Sequence, residues 1–371
     1  MISIIGGGPV GSYLANLLLK KGTNDIHIYE EHKKIGIPVQ CSGLLTKDIY
    51  NYFKTNELKK LSKVDIYYNK DKLLSLNIDN YVFNRTKFDQ HIINTAIDKG
   101  AKLHLNNHFM KINKLGKSKS SKTIINVKDK SNNKINNIST NKLIGADGTL
   151  SKVAKESGLW KKRIFYHGIQ ATVKLKNDSN TFNAYFGDIA PKFFAWTIPV
   201  NKTKVRAGVI TLKNSRHYFD NFLKQIKVKK ILDKQSGLIP IYQPFTKIKK
   251  YNTFLIGDAA TQLKPTTGGG IVPGFRFAHK LSKSIIQNKP YSNFDKDLFL
   301  SLKIRQVLNH MRKRDFEMLV DVMKNPKIKF LIKKFDRDKV SKYMFKTLSY
   351  EPRLMKFILK NFYKLIFSNK I

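Results

Sequence analysis

The sequence predicts a mixed α/β fold, in which a Rossmann-like domain is combined with an antiparallel sheet and a helical C-terminal region. A short apolar run, Ile2 to Ile5, leads directly into a glycine-rich turn, and a segment of helical character follows from Ser12 to Lys21. Between residues 160 and 215 the chain is rich in aromatic and β-branched residues in short runs, which is typical of antiparallel strands. Residues 293–371 are basic and have helical patterning.

The glycine turn has the pattern G-x-G-x-x-G at Gly6, Gly8 and Gly11. In a strand–turn–helix unit the first glycine permits the tight turn, the second lets backbone approach a pyrophosphate, and the third lets the helix pack closely on the sheet. The helix N-terminus adds free N–H groups and a positive dipole end. Ile26 to Tyr29 is expected to form the second strand, and Glu30 at its end suits a ribose-binding carboxylate. These residues together predict a dinucleotide site.

Two later strands are each followed by a carboxylate. The first runs into Gly-Ala-Asp-Gly, where Asp147 either contacts a ligand at the sheet edge or belongs to a simple Asp-Gly turn. The second, from about Tyr251, is followed by Asp258, and the glycines 268–270 then open a helix at about Val272. Because three glycines expose backbone N–H groups at close range, this pattern favours a second anion- and ribose-binding site.

Arg85 marks another boundary between a strand and a helix. The helix is expected from Thr86 to about Lys99, with Thr86 as the N-cap and Asp89 as its capping partner. Arg85 itself is either a salt-bridged strand end or a cation for the phosphates of a bound cofactor.

The other expected elements complete three domains. They are a helix near 48–61, strands near 64–68, 73–78, 100–105 and 109–112, a lysine-rich hairpin over 116–141, a helix over 151–157, strands at 165–175, 182–186, 193–199 and 204–212, and a helix over 215–234. The expected domains are a discontinuous nucleotide-binding domain (1–45, 81–160 and 250–290), a substrate-binding sheet domain (46–80 and 161–249) and the C-terminal region (291–371).

The composition limits the class and location of the protein. The 70 Lys and Arg residues exceed the 26 Asp and Glu residues by 44. Genomic bias, an anionic membrane surface and nucleic acid could each account for this charge, although the spread of lysines along the chain argues against nucleic acid. A single cysteine excludes an internal disulfide and suits a reducing compartment. Neither a signal peptide nor a membrane-spanning segment is expected, which favours a cytoplasmic location.

Two segments have both a structural and a functional interpretation. The loop with Gly36, Pro38 and Gly43 contains Cys41, which is either an inert thiol or a residue at the reactive edge of the cofactor. The segment 193–199 is either a buried core strand or the lining of an apolar cavity.

The order of these motifs resembles that of the FAD-dependent hydroxylase-like flavoproteins. Within that superfamily, Pro38-Val39-Gln40-Cys41-Ser42-Gly43 is similar to the cysteine loop of the geranylgeranyl reductases. Ala190-Pro191 with Phe194-x-Trp196-x-x-Pro199 and later Gly208 is similar to that family's cavity motif, which usually has Tyr at 194 and Phe at 198. The segment 264–271 resembles the archaeal, digeranylgeranylglycerophospholipid reductase-like branch, and the resemblance covers about residues 1–290.

The resemblance implies FAD as cofactor and the saturation of C=C bonds in geranylgeranyl chains of archaeal membrane lipids. By position, the residues that would contact FAD are Gly6, Gly8, Val10, Gly11, Glu30, Cys41, Ser42, Arg85, Phe109, Asp258, Gly270 and Ile271. Glu30 would bind the adenosine ribose, Asp258 the ribityl and pyrophosphate side, and Gly270 with Ile271 the isoalloxazine. Phe109 would reach adenine through its main chain only, and the contact of Asp147 is not assigned.

The resemblance also implies the remaining functional assignments. Cys41 is the candidate catalytic residue, and the substrate cavity would be lined by Phe194, Trp196 and Pro199. No metal is expected. The electron donor is either NAD(P)H or ferredoxin, because no second G-x-G-x-x-G marks an NAD(P)H domain. The protein is expected to act as a monomer.

Two alternatives come from other functional classes. The segment 194–199 differs from the W-x-W-x-I-P pattern of flavin-dependent halogenases only at its first aromatic residue, so a monooxygenase or halogenase of an apolar substrate is one alternative. Ala190-Pro191 and the Cys41 loop favour the reductase. The other alternative is a basic flavoprotein that associates with RNA, which would account for the net charge.

The last predicted helix has a pattern that is typical of helices at a membrane surface. Lys356, Lys360 and Lys364 recur every fourth residue beside apolar and aromatic side chains. Such a helix either lies in a membrane interface or packs on the protein body with its lysines in water. Peripheral association with the cytoplasmic membrane is therefore expected.

Overall fold

The computed structural model describes residues 1–39, 41–53, 58–118, 120–334 and 338–367, with side chains described up to residue 360. The strands are β1 (Ile2–Ile5), β2 (Ile26–Tyr29), β3 (Leu44–Leu45), β4 (Lys59–Leu61), β5 (Lys63–Tyr68), β6 (Asp71–Leu76), β7 (Asn80–Val82), β8 (Lys102–His104), β9 (Asn107–Lys114), β10 (Thr123–Asp129), β11 (Ile135–Thr140), β12 (Lys142–Gly145), β13 (Phe165–Lys174), β14 (Thr181–Phe186), β15 (Phe194–Asn201), β16 (Lys204–Thr211), β17 (Lys230–Pro240), β18 (Lys249–Lys250) and β19 (Thr253–Leu255). The α-helices are α1 (Pro9–Lys20), α2 (Arg85–Ile97), α3 (Lys152–Glu156), α4 (Ser215–Gln225), α5 (Ile271–Gln287), α6 (Lys296–Leu308), α7 (Lys313–Lys324), α8 (Pro326–Lys334), α9 (Val340–Tyr350) and α10 (Pro352–Phe367).

The first sheet confirms the Rossmann-like expectation. Its order is β18-β19-β12-β1-β2-β8, and every pairing is parallel except that of β18 with β19. Strands covered on both faces read as continuous apolar runs, and β1 is buried along its whole length. Because the strands are parallel, the turns after β1, β2, β12 and β19 meet at one edge of the sheet.

The second sheet confirms the antiparallel expectation and joins segments that are distant in sequence. Its order is β17-β13-β16-β15-β14-β5-β6, with a parallel pairing only between β14 and β5. Alternate residues of its central strands face two different cores. On one face α4 packs against small and β-branched residues through Phe219 and Phe222, whereas the other face carries Trp196, Ile198 and Ile210.

Two smaller sheets complete the strands. The predicted lysine-rich hairpin is present as β10 and β11, which pair with β9 in a three-stranded sheet. The other small sheet has the order β3-β7-β4 and follows the Cys41 loop.

One predicted helix is wrong and another is predicted too long, and long-range strand pairing explains both differences. In place of a helix over 48–61 the chain forms a short 3₁₀ turn, Lys47–Asn51, and the strand β4, which pairs with β7; residues 54–57 lie outside the described residues. The helix predicted over 215–234 ends at Gln225, because residues from Lys230 onward pair with β13.

Helix starts also differ from the predicted positions. Helix α1 begins at Pro9 rather than Ser12, since proline suits the first helical position. Helix α2 begins at Arg85, and its N-cap is Asn84, whose side chain accepts a hydrogen bond from the Lys87 N–H. Thr86, predicted to be the cap, donates instead to the Gly36 carbonyl.

The C-terminal region is helical as predicted, and Pro326 and Pro352 each form the first residue of a helix. Asp295 is the N-cap of helix α6, and its carboxylate pairs with Arg276 at 2.9 Å and Lys280 at 3.0 Å on α5. In the described part of the chain, no helix is long and apolar enough to cross a membrane.

Candidate functional site

The glycine turn after β1 has one crowded side and one open side. Gly6 adopts a φ of +105°, and a Cβ there would lie 2.4 Å from the Ala146 carbonyl oxygen. A Cβ on Gly11 would lie 2.3 Å from the Gly6 carbonyl oxygen. A Cβ on Gly8, in contrast, would meet no atom within 4 Å. The turn is therefore packed tightly on the sheet and leaves open space at Gly8.

Two helix N-termini lie side by side next to this open space. Helices α1 and α5 have Gly8 and Gly270 as N-caps, no side chain caps either helix, and neither has an acidic residue in its first turn. A Cβ on Gly274 would lie 2.4 Å from Cγ2 of Val10, so the first turns of the two helices are in contact. Uncapped N–H groups with two aligned positive dipole ends can bind an anion.

Glu30 lies directly beside the glycine turn. Its carboxylate accepts hydrogen bonds from the Gly7 N–H at 2.9 Å and the His32 N–H at 3.0 Å. Its own backbone N–H and C=O bond to residues on either side of the β8–β9 turn, which brings β9 to the same edge. On β9 the Phe109 side chain is buried in the core, which leaves its main chain for the predicted contact with adenine.

Asp258 lies opposite the glycine turn, in the 3₁₀ turn that follows β19. A Cβ on Gly270 would lie 2.8 Å from its Oδ1, so the two loops approach so closely that only glycine fits. Burial raises the pKa of Asp258, while Arg85, Thr149 and Arg163 act in the opposite direction. Arg163 holds this turn by donating to the Ala259 carbonyl at 2.6 Å and to the Thr149 carbonyl at 2.8 Å.

Asp147 has a structural role that accounts for its position. Its carboxylate accepts hydrogen bonds from the Ser151 hydroxyl at 2.6 Å and the Val153 N–H at 2.9 Å, and so supports the first turn of α3. Burial raises the pKa of this carboxyl. Of the two interpretations of Gly-Ala-Asp-Gly, the turn is the one these contacts support.

Cys41 interacts with two half-buried arginines, Arg85 and Arg206. Arg85 forms an ion pair with Asp89 at 2.7 Å; burial lowers the pKa of Arg85, but Cys41 and Asp89 together raise it above its ordinary value. Arg206 donates to the Ser42 carbonyl at 2.7 Å, and burial lowers its pKa against the effect of Cys41. The Cys41 N–H donates to Gln235 Oε1 at 3.2 Å. Gln40 lies outside the described residues.

A row of residues crosses the second sheet from the Cys41 loop. Strand register aligns Gln235 on β17, Gln170 on β13, Gly208 on β16 and Trp196 on β15. Trp196 Nε1 donates to Gln170 Oε1 at 3.0 Å, and a Cβ on Gly208 would lie 2.3 Å from the Trp196 ring. Gly208 therefore provides the space in which the indole lies. Below, this set is called the Trp196 row.

Gln170 has an unsatisfied hydrogen-bond donor in this row. The residue is 4% exposed, and its Nε2 has no partner among the described residues. Because Trp196 Nε1 can only donate, it must face the amide oxygen, so the free end of the amide is the N–H₂ group. The Gln170 amide N–H₂ group is thus available to a water molecule or a ligand.

The predicted cavity residues are only partly brought together. Phe194 is half-buried, and its ring centroid lies 5.8 Å from that of Trp196 and 5.1 Å from that of Phe193. Residues two apart on a strand share a face, so Phe194 and Trp196 lie on the same face. Pro199 is buried, but the same alternation places it on the opposite face of β15, away from the Trp196 row.

The sequence interpretation missed Arg305, a buried residue of α6. It donates to the carbonyls of Thr266 at 2.6 Å and Pro265 at 3.2 Å, and its guanidinium lies 4.2 Å from the Phe193 ring centroid. Burial lowers its pKa to about 10. Arg305 thus links the loop before α5, at Pro265 and Thr266, to the aromatic ring of Phe193. No local signal distinguishes it within a region rich in basic residues.

Several sequence relatives of this chain share one name. No protein-family model matches the sequence. Proteins named digeranylgeranylglycerophospholipid reductase are 27% identical in Picrophilus torridus, over 88% of this chain and 92% of the relative, and 26% identical in Thermoplasma acidophilum, over 86% and 88%. One from Methanococcus aeolicus is 25% identical over 96% of both chains. The chain is therefore similar over most of its length to geranylgeranyl reductases, as its motifs predicted.

Solved structures agree with this family at the level of the fold. A geranylgeranyl bacteriochlorophyll reductase-like protein from Thermoplasma acidophilum superposes with a TM-score of 0.80 at 21% identity, covering 97% of this chain and 98% of that one. A flavin-dependent halogenase gives 0.67 at 13% identity, over 97% and 78%. The predicted fold class is confirmed, and this chain shares its fold with flavin-dependent enzymes.

Proposed function

We propose that this protein is an FAD-dependent reductase that saturates C=C bonds in geranylgeranyl chains of archaeal membrane lipids. The names of its relatives support the reaction class. The observation that carries the proposal is the Trp196 row, because it runs from the Cys41 loop to the predicted cavity wall and contains an unpaired donor. The two motifs that suggested a prenyl reductase are thereby parts of one surface.

The residues fit FAD at the edge of the first sheet. The open space at Gly8 and the contacting N-termini of α1 and α5 suit a pyrophosphate. Glu30 lies where a ribose would extend toward β2, with the β9 main chain beyond it. Asp258, Gly270 and the first turn of α5 would hold the ribityl and ring end.

An isolated alkene has no polar group that a protein can hold or polarise, so the chain must position it by shape and exclude water. Phe194, Trp196 and Ile198 share the apolar cluster on the inner face of the second sheet. Reduced FAD, when bound, would supply the hydride. Cys41, whose backbone N–H donates to Gln235 of the Trp196 row, is the candidate for positioning the substrate or protonating it.

The direct test starts from the purified full-length protein. Its absorbance spectrum would show a bound flavin. Dithionite-reduced protein is then incubated anaerobically with a geranylgeranyl phospholipid, and mass analysis should show one added H₂ for each saturated bond. A flavin-loaded protein that leaves the lipid unchanged under these conditions would overturn the proposed substrate, and a protein without flavin would overturn the cofactor.

Cys41 needs its own test. We expect Cys41→Ala to bind FAD normally and to lose most of its reduction rate. A variant that binds FAD and reduces the lipid at the wild-type rate would remove Cys41 from the mechanism. Parallel assays with NAD(P)H and with reduced ferredoxin would identify the electron donor.

A second candidate function is a flavin-dependent monooxygenase or halogenase. It is favoured by the segment 194–199 and by structural similarity to a p-nitrophenol 4-monooxygenase from Pseudomonas putida, with a TM-score of 0.68 at 12% identity over 94% of this chain and 97% of that one. Product that forms only with oxygen would establish this alternative. Saturation without oxygen would exclude it.

Peripheral membrane association is part of the proposal. On α9 and α10 several large apolar side chains are exposed, including Phe345 at 75% and Leu359 at 61%, beside Lys356 and Lys360. Exposed apolar residues next to lysines suit a membrane interface. Lys364 lies outside the residues whose side chains are described. Unchanged binding to anionic liposomes after truncation at Pro352 would exclude α10 as the contact.

A further inference from the structure

A groove of about 380 Å³ lies between the end of β6 and helix α8, apart from the candidate flavin site. It is lined by Ser75, Leu76, Asn77, Ile78, Pro326, Lys329, Phe330, Ile332 and Lys333. Its volume falls within the roughly 300–1,000 Å³ that is usual for small-molecule sites. We call it the α8 groove.

The inner wall of the α8 groove is apolar. Leu76 is 8% exposed, and Ile78 packs against the same hydrophobic cluster that includes Phe194 and Trp196. The outer wall includes Phe330, which is 55% exposed. Large apolar side chains that face a concave surface indicate a ligand with an apolar part.

The rim of the α8 groove is positively charged. Lys329 and Lys333 are four residues apart on α8, so their side chains lie on the same helix face. Both are exposed. Among the residues that the structure describes, none that lines the groove is acidic. Within the same described set, the polar lining residues besides the lysines are Ser75 and Asn77, and the Ser75 hydroxyl donates to Asp65.

We propose that the α8 groove binds one anionic membrane phospholipid. Its phosphate would lie between the ammonium groups of Lys329 and Lys333, and its hydrocarbon chain along Phe330 and Ile332 toward Ile78. Free phosphate has no part that matches the apolar wall, and a zwitterionic headgroup gains less from two adjacent cations. The inference is independent of flavin chemistry, since no residue of the groove belongs to the candidate flavin site.

The test measures the affinity of the full-length protein for a soluble short-chain lipid, dioctanoyl phosphatidylglycerol. Binding is measured by calorimetry at lipid concentrations below the micelle concentration. Binding is expected for this lipid, with weaker binding of the phosphatidylcholine analogue. Replacing both groove lysines (K329E/K333E) should weaken binding by at least about 30-fold, because each lost lysine contributes roughly 1 kcal/mol toward an anionic lipid and each new carboxylate repels it. Phe330→Ser should weaken binding without changing the charge.

The matched control is K324E/K327E, which makes the same charge change at exposed lysines that do not line the groove. It should bind the lipid as wild type does. Equal losses in the two double variants would show a general charge effect and overturn the site, as would wild-type binding by K329E/K333E. Inorganic phosphate that binds as tightly as the lipid would overturn the lipid assignment. Thermal unfolding of each variant separates loss of binding from loss of the fold.

Discussion

Substituting Gly8 separates the requirements of the fold from those of the cofactor. Gly8 has φ −67° and ψ 174°, which any L residue can adopt, and its added Cβ would meet no atom within 4 Å. Gly8→Ala should therefore leave the flavin-free protein as stable as wild type, or more stable by about 0.4–1 kcal/mol, because alanine reduces the entropy of the unfolded chain.

The same substitution should impair FAD binding. The new methyl group fills the space through which a pyrophosphate would reach the N-terminus of α1. Overpacking of this kind costs about 1–3 kcal/mol. That range corresponds to a Kd increase of about 5- to 150-fold. Urea unfolding of the flavin-free protein measures the first effect, and quenching of flavin fluorescence on titration measures the second.

Gly6→Ala is the matched contrast on the crowded side of the same turn. Its φ of +105° and the 2.4 Å approach to the Ala146 carbonyl should destabilise the flavin-free protein by about 2–5 kcal/mol. A Gly8→Ala protein that binds FAD with the wild-type Kd would refute the placement of the pyrophosphate at this turn. Equal destabilisation by both substitutions would refute the distinction between an open and a crowded side.

Three further predictions concern the second sheet and α6. Gly208→Ala should lower the free energy of unfolding in urea by about 1–3 kcal/mol, because its Cβ would lie 2.3 Å from the Trp196 ring. Gly168→Ala, whose nearest contact would be at 3.5 Å, should lower it clearly less. Equal losses in the two variants would contradict this packing. Gln170→Leu leaves the indole N–H unpaired, so stability should fall by about 1–3 kcal/mol and tryptophan emission should shift, and an unchanged spectrum would count against the bond. Burial opposes the charge of Asp295, but the two basic side chains of α5 outweigh it and lower its pKa. Its stabilising contribution is therefore present at neutral pH and is lost as the pH falls through that lowered pKa, so Asp295→Asn should cost about 3 kcal/mol at pH 7, with the gap closing in acid.

The parts of the site that the sequence predicted are those fixed by local geometry. Gly6 lies so close to the carbonyl of Ala146, directly after β12, that only glycine fits at this position of the turn. The glycine pattern can therefore be recognised in the sequence before the neighbouring strand is known. Glu30 follows β2 directly, and its distance along the chain is set by the preceding helix. Asp258 with Gly270 is recognisable for the same reason, because one close approach determines both residues.

The parts that the sequence did not predict depend on contacts between distant segments. Residues 230–234 have helical character, yet they form part of β17 because β13 offers an unpaired edge. Thr86 is a good N-cap by residue type, but Asn84 caps α2 and the Thr86 hydroxyl is used by the Cys41 loop at Gly36. In both cases a local preference competes with a contact to a distant segment, and the sequence near the residue does not show which of the two is formed.

The Trp196 row explains why residues so far apart in sequence form one motif. Gly208 lies twelve positions after Trp196 because β15 and β16 form an antiparallel pair, and the indole requires a residue without a side chain directly opposite. Gln170 then orients the indole, and Gln235, next in the row, holds the Cys41 N–H. A change at Gly208 should therefore affect the Cys41 loop through two strands, β13 and β17. The four residues can be found in the sequence, but only the register of β17, β13, β16 and β15 shows that they lie in one row.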